Sequence, residues 1–214
     1  MVASQVHLVR HGEVFNPQRV LYGRLPGFRL SDLGQQMAET AAVDLAERAR
    51  PVVRIVASPL QRTQESAAPI ARAFGLPIDL DERLIEPANR FEGKRMRGPG
   101  GALRDPRNWP SLTNPARPSW GEPFRSISAR MLAAIDDAFQ SVDDGDVVLV
   151  SHQLPIWMVH RTLAQERLAH DPRKRRCDLS SITTLSWRGT GPAEVAYTSP
   201  AAALLVPAND VGAV

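Results

Sequence analysis

The sequence contains one cysteine, Cys177, which excludes an internal disulfide and a cysteine-built zinc site. Lysine occurs only at Lys94 and Lys174, so nearly all of the 26 basic residues are arginine, against 23 acidic ones. Aromatics are sparse at 6%. A nucleic-acid surface would need a basic stripe interleaved with aromatics. The one dense run, Arg173-Lys174-Arg175-Arg176, contains no aromatic and reads as a solvated loop. Nucleic acid is therefore not an expected partner. Cys177, directly after that run, reads as a structural thiol. No stretch approaches the roughly 20 apolar residues that span a bilayer, so no membrane partner is expected. Residues 1–10 lack a charged region ahead of an apolar core, and a cytoplasmic location is the expectation.

What is present is ordinary globular material: 214 residues, 43% apolar and 23% charged, suited to a single domain over 1–214. Residues 5–10 read as a first strand. Residues 14–30 are a Gly- and Pro-bearing loop, and Ser31 and Asp32 can start a helix whose apolar stripe is Leu33, Met37, Ala41 and Leu45. Residues 52–57 are a second strand. Ser58-Pro59 reads as a cap plus first-turn proline, and Gly75 ends that helix. A short strand follows at 77–80. Residues 85–123 hold seven prolines and no period, which predicts an active-site flap. Helical spacing returns over 124–142, a buried strand over 146–150 and a helix over 155–164. Strands near 181–187 and 193–197 close the pattern, and the tail after Pro200 is weakly patterned. The alternation predicts a three-layer α/β/α sandwich around a mainly parallel sheet.

In such a sheet the site lies beyond the carboxyl ends of the strands. That rule selects Arg10-His11, Ser58 to Arg62 and Ser151-His152. Two guanidinium groups and two imidazoles can then surround one small anion. Phosphate fits: guanidinium grips its oxygens in a two-pronged fork, and a helix N-terminus adds donors. A neutral imidazole can attack phosphorus, and neighbouring cations favour that form by lowering its pKa.

The stretch Leu8-Val9-Arg10-His11-Gly12-Glu13 resembles the signature of the histidine phosphatase superfamily, the phosphoglycerate mutase-like proteins. Ser58-Pro59-Leu60-Gln61-Arg62-Thr63 resembles its second motif and Val148-Leu149-Val150-Ser151-His152 its third, in family order. The resemblance implies the phosphoglycerate mutase-like fold and a transient phosphohistidine at His11. It implies a phosphate pocket lined by Arg10, Arg62 and His152, and a proton donor after the third strand, where Glu86 takes the family's position over Glu92, a pair that chemistry alone does not rank. Asn16 resembles a phosphate-binding asparagine, one residue closer to His11 than usual. Gln153 stands where the family commonly has glycine, and its side chain is a candidate for substrate contact.

The expected activity is a metal-independent phosphatase that hydrolyses small phosphate monoesters with no cofactor. The alternatives are a phosphoglycerate mutase-type phosphotransferase and a silent phosphate-binding module. A homodimer is the family expectation. Lys94, Arg95, Arg97, Arg104 and Arg107, in the irregular segment, are candidates for meeting distal anionic groups of a substrate.

Overall fold

The computed structural model describes residues 2–96, 98, 100–112, 121–189, 191–208 and 210. Among them, six strands form one mixed sheet: β1 (Gln5–Arg10), β2 (Val52–Ala57), β3 (Ile78–Leu80), β4 (Asp146–Ser151), β5 (Ile182–Arg188) and β6 (Gly191–Thr198). Their spatial order is β3-β2-β4-β1-β5-β6. The β3-β2, β2-β4 and β4-β1 pairs are parallel, whereas β5 and β6 complete the sheet antiparallel.

The period of two along β4 builds both cores. Val147 and Leu149 face one side with Ile127, Met131 and Ile135 of α3 (Phe124–Gln140) and Met158 of α4 (Gln153–Leu163). Val148 and Val150 face the other with Ala41 and Leu45 of α1 (Asp32–Glu47) and Ile70 of α2 (Gln61–Phe74). A strand covered by helices on both faces must be apolar throughout, and all six residues of β4 are buried. The three-layer arrangement and the largely parallel sheet are as the sequence pattern predicts. Among the described residues, no helix is long and apolar enough to cross a membrane.

Several boundaries differ from expectation. Ser31 does cap α1, its hydroxyl accepting from the Gly34 amide at 2.9 Å. Ser58 does not cap α2: that helix starts at Gln61 after an uncapped Leu60. Helix α4 starts two residues early, with His152 at its N-cap, so Pro155 falls in the first turn, where its missing N–H costs nothing. The tail past Pro200 has more structure than its sequence advertises. Ala201 packs with Met37 and Leu179, and Leu204, Leu205 and Ala208 lie against them. Within the irregular segment, 3₁₀ turns occupy Ala102–Arg104 and Pro106–Leu112, and an Asn89–Gly121 bridge joins its two ends.

Candidate active site

Strands β1, β2 and β4 end side by side, and the backbone carries that alignment past their ends. The His11 amide donates to Ser151 O at 3.2 Å and the Ser58 amide to Val150 O at 2.9 Å. The turn after β1 is tight. A Cβ on Gly12 would stand 2.4 Å from Gly34 O, so only glycine lets this turn meet the start of α1. The result brings Arg10, His11, Arg62 and His152 together, each essentially buried.

The tautomer of His11 follows from its partner. Its Nδ1 lies 2.7 Å from Gly12 O, and a carbonyl only accepts. Nδ1 therefore carries the proton and Nε2 the lone pair. Burial, then Arg62 and Arg10, push this imidazole well below its ordinary pKa, so it stays neutral. The His152 ring sits edge-on, its centroid 5.2 Å from that of His11. His152 Nε2 meets Ser58 Oγ at 2.8 Å, and its Nδ1 lies 3.5 Å from Glu86 Oε2. Burial, with Arg62 and His11, keeps His152 neutral as well.

Both arginines are held by carbonyls. Arg62 donates to Gly23 O at 2.7 Å and lies 4.8 Å above the Tyr22 ring. Arg10 donates to Cys177 O at 2.6 Å and grips the Asp210 carboxylate with both terminal nitrogens, Nη1 to Oδ2 at 2.9 Å. Burial pushes the Cys177 thiol up to about 11, against any nucleophilic role; its contribution is the carbonyl on Arg10. Eight buried side-chain nitrogens and oxygens among the described residues make no hydrogen bond. Five of them are here: Arg10 Nε, His11 Nε2, Arg62 Nε, Glu86 Oε1 and His152 Nδ1. Orphaned buried polar atoms are costly and rare, so their convergence marks a site for a polar ligand.

Glu86 is separated from Glu92 by what each side chain touches. Glu92 Oε1 accepts from the Arg24 and Asn89 amides, both at 3.1 Å, and packs against Gly23. It clamps two loops. Glu86 is buried beside His152, and burial raises its carboxyl to about 7 against the pull of Arg62, Arg175 and Arg10. Two bonds the sequence did not reveal hold it there. Ser151 Oγ donates to Leu84 O at 2.7 Å, and Arg24 Nε donates to Glu86 O at 2.6 Å.

The remaining candidates are placed less centrally. Asn16 closes its own loop, donating to Val20 O at 2.8 Å and accepting from Val20 N at 3.2 Å. Gln153 opens α4, and its Oε1 accepts from Arg175 Nη1 at 3.2 Å. The basic run is solvent-facing at Arg173, Lys174 and Arg176, as expected, but not at Arg175, which is turned inward. Lys94, Arg95, Arg104 and Arg107 are exposed, Arg95 donating to Gln18 O at 2.8 Å. Arg97 lies outside the described residues.

Known proteins match this frame over most of its length. The histidine phosphatase superfamily (branch 1) model covers residues 6–200. The uncharacterized protein Rv0525 of Mycobacterium tuberculosis is 53% identical over 200 residues, 93% of this chain and 98% of its own. A probable phosphoglycerate mutase, GpmB, of Enterobacter sp. is 34% identical over 83% of this chain and 84% of its own. The solved structure of mycobacterial glucosyl-3-phosphoglycerate phosphatase Rv2419c with inorganic phosphate superposes with a TM-score of 0.69 at 25% identity, over 94% of this chain and 99% of that one. The chain belongs to the histidine phosphatase superfamily, branch 1.

Proposed function

We propose that the protein is a metal-independent phosphomonoesterase working through a phosphohistidine on His11. The observation that carries this is the lone pair of His11 Nε2. Its direction is set by the Gly12 carbonyl, it is buried without a partner, and the guanidinium groups of Arg10 and Arg62 act on it electrostatically. Nε2 attacks phosphorus while Arg10 and Arg62 hold the equatorial oxygens by charge and geometry. If Ser58 donates to His152 Nε2, His152 carries its proton on Nδ1 and can donate it to a phosphoryl oxygen. The P–O bond to the leaving group breaks, and Glu86, neutral at its raised pKa, gives that oxygen its proton. Water then attacks the phosphohistidine, Glu86 takes a proton back, and phosphate and neutral His11 are restored. The fixed cations supply the charge that a metal would otherwise provide.

The test is direct. Brief exposure to an activated phosphate ester should add one phosphoryl group to His11, read by mass spectrometry, with turnover unaffected by EDTA. His11→Ala should fold and lose turnover. Near-parent activity in that variant, or activity lost in EDTA and restored by a divalent ion, would sink the proposal. A second reading, transfer between substrate hydroxyls, is favoured by the relative named as a probable phosphoglycerate mutase. Phosphorus NMR of a phosphoglycerate incubated with the protein separates the two: inorganic phosphate for hydrolysis, a positional isomer for transfer.

A further inference from the structure

The backbone that carries Glu86 is held by side chains. Residues 83–86 span the end of the 3₁₀ turn Glu82–Leu84 and the irregular chain after it, so no strand ladder takes up their carbonyls. Three of these four carbonyls accept from side chains of other elements. Leu84 O accepts from Ser151 Oγ, Glu86 O from Arg24 Nε and Arg83 O from Arg130 Nη1. Arg24 lies in the loop after β1 and Arg130 in α3, and one carboxylate joins them. Glu122 accepts from Arg130 Nε and Nη2, both at 3.0 Å, and lies 3.6 Å from Arg24 Nη2. Ser126 Oγ adds a further donor at 2.9 Å. Burial would raise the Glu122 carboxyl, but Arg130, Ser126 and Arg24 prevail and hold it below its ordinary value. It is therefore an anion wherever the protein works near neutral pH.

Glu122 also stands where the irregular segment rejoins the body of the fold. Asn89 and Gly121 form a bridge, and a Cβ on Gly121 would lie 2.7 Å from Ala88 O. The chain just past Glu86 and the chain just before Glu122 thus meet backbone to backbone. A two-pronged carboxylate fixes the plane of the Arg130 guanidinium, and its remaining nitrogen then reaches Arg83 O. Without that anion, Arg24 and Arg130 would face each other as like charges. The acid these bonds support lies 3.5 Å from His152 Nδ1 through its Oε2. Resting on the phosphatase reading, we infer that Glu122 is a positioning residue: by clamping Arg24 and Arg130 onto the carbonyls of Glu86 and Arg83, it holds the leaving-group acid in place beside His152. It acts through those carbonyls and not on the substrate.

The experiment is a double-substitution cycle on an alkyl phosphate. Glu122→Gln keeps the shape and removes the charge that aligns the two arginines. It should lower kcat about 10- to 100-fold, the order that a small misplacement costs, with KM little changed. An aryl phosphate, whose leaving group needs less protonation, should lose much less. In a Glu86→Gln background the same substitution should cost at most about twofold, because the group it positions is gone. Glu122→Asp, which keeps the charge, should recover part of the loss. The pH profile gives a second readout. Arg62, Arg175, Arg10 and Arg130 act on Glu86, with Tyr22 and His152 beside it, and Glu122→Gln leaves all of them in the chain. Removing the carboxylate leaves Arg130 less compensated, which favours the charged form of Glu86, so the alkaline limb should move to lower pH. Equal losses in the parent and Glu86→Gln backgrounds, or an unmoved limb, would overturn the inference, because a merely structural residue harms both backgrounds alike. Where Glu122→Gln does not fold, Arg24→Met, a change at a side chain 36% exposed, takes its place in the same cycle. If the parent turns over no phosphate ester, the phosphatase reading is what fails. Carbon NMR of the glutamate carboxyls, with Glu86 assigned by its loss in Glu86→Gln, then judges the inference. The Glu86 titration should move to lower pH in Glu122→Gln, and an unmoved titration overturns it.

Discussion

Burial raises the Glu86 carboxyl to about 7 although Arg62, Arg175, Arg10 and Arg130 all pull it down. Desolvation outweighs four cations because the carboxyl is about 1% exposed and its Oε1 has no hydrogen-bond partner. An acid is useful only while protonated, so activity should be held below about pH 7 and fall above it. His11 is pushed well below its ordinary value and should not be protonated over the same interval. For an alkyl phosphate, kcat/KM should decline toward tenfold per pH unit above about 7. Glu86→Gln should erase that alkaline limb and cost about 10²–10⁴-fold, with a smaller loss on an aryl phosphate, whose leaving group needs less help. The variant still experiences the ionisation of the substrate itself, so comparing the two profiles isolates Glu86. A persistent alkaline limb in Glu86→Gln would remove it from the acid role.

At the scale of elements, β1 and β4 carry the site at one end and a separate anchor at the other. Asp146, the first residue of β4, accepts from Arg50 at 2.6 and 2.8 Å and lies 3.2 Å from His7 Nε2. Burial would raise this carboxyl, but the bonds from Arg50 and His7 prevail and lower it to about 2. Its folded value is thus below its unfolded one, near 3.8. The stability it contributes is present above about pH 4 and lost as the pH falls toward 2. Because Arg50 is 39% exposed and its charge is screened, Asp146→Asn should cost about 1–2 kcal/mol in urea unfolding at pH 7, with a flatter acid limb and little change in kcat/KM for an aryl phosphate. An unchanged acid limb would refute this account. Elements were legible in the sequence where local pattern and tertiary role agree. The buried run of β4, the Ser31 cap and the Gly75 stop are such cases. Ser58 misled because its hydroxyl is engaged by His152 and not by a helix amide. Arg175 was hidden among like charges: its inward turn is met by His170 and Gln153, which lie on other elements.

The whole molecule is closed by contacts that no local pattern announces. Arg10 ends the first strand, yet it is held by a carbonyl 167 residues away and a carboxylate 200 residues away. The tail reaches it because Ala201, Leu204, Leu205 and Ala208 pack beside Met37 and Leu179. Asp210 is 39% exposed while Arg10 is buried, so the carboxylate caps the guanidinium from the solvent side. A carboxylate in that fork is a chemical rival of phosphate, since both present two oxygens to parallel N–H groups. Tail and ligand should therefore compete for Arg10. Solvent screening keeps the rivalry modest, about 1 kcal/mol or roughly fivefold. Asp210→Asn should accordingly lower the inhibition constant of inorganic phosphate about fivefold. The same change removes an intramolecular anion, so the variant should melt earlier than the parent without phosphate. Phosphate at about 100 times its Kd adds roughly 2.7 kcal/mol to either protein. Because the variant binds it more tightly, a fixed phosphate concentration should raise the variant's melting temperature more than the parent's. Equal inhibition constants and equal thermal gains would mean that Asp210 leaves Arg10 open to ligand, and that the tail serves packing alone.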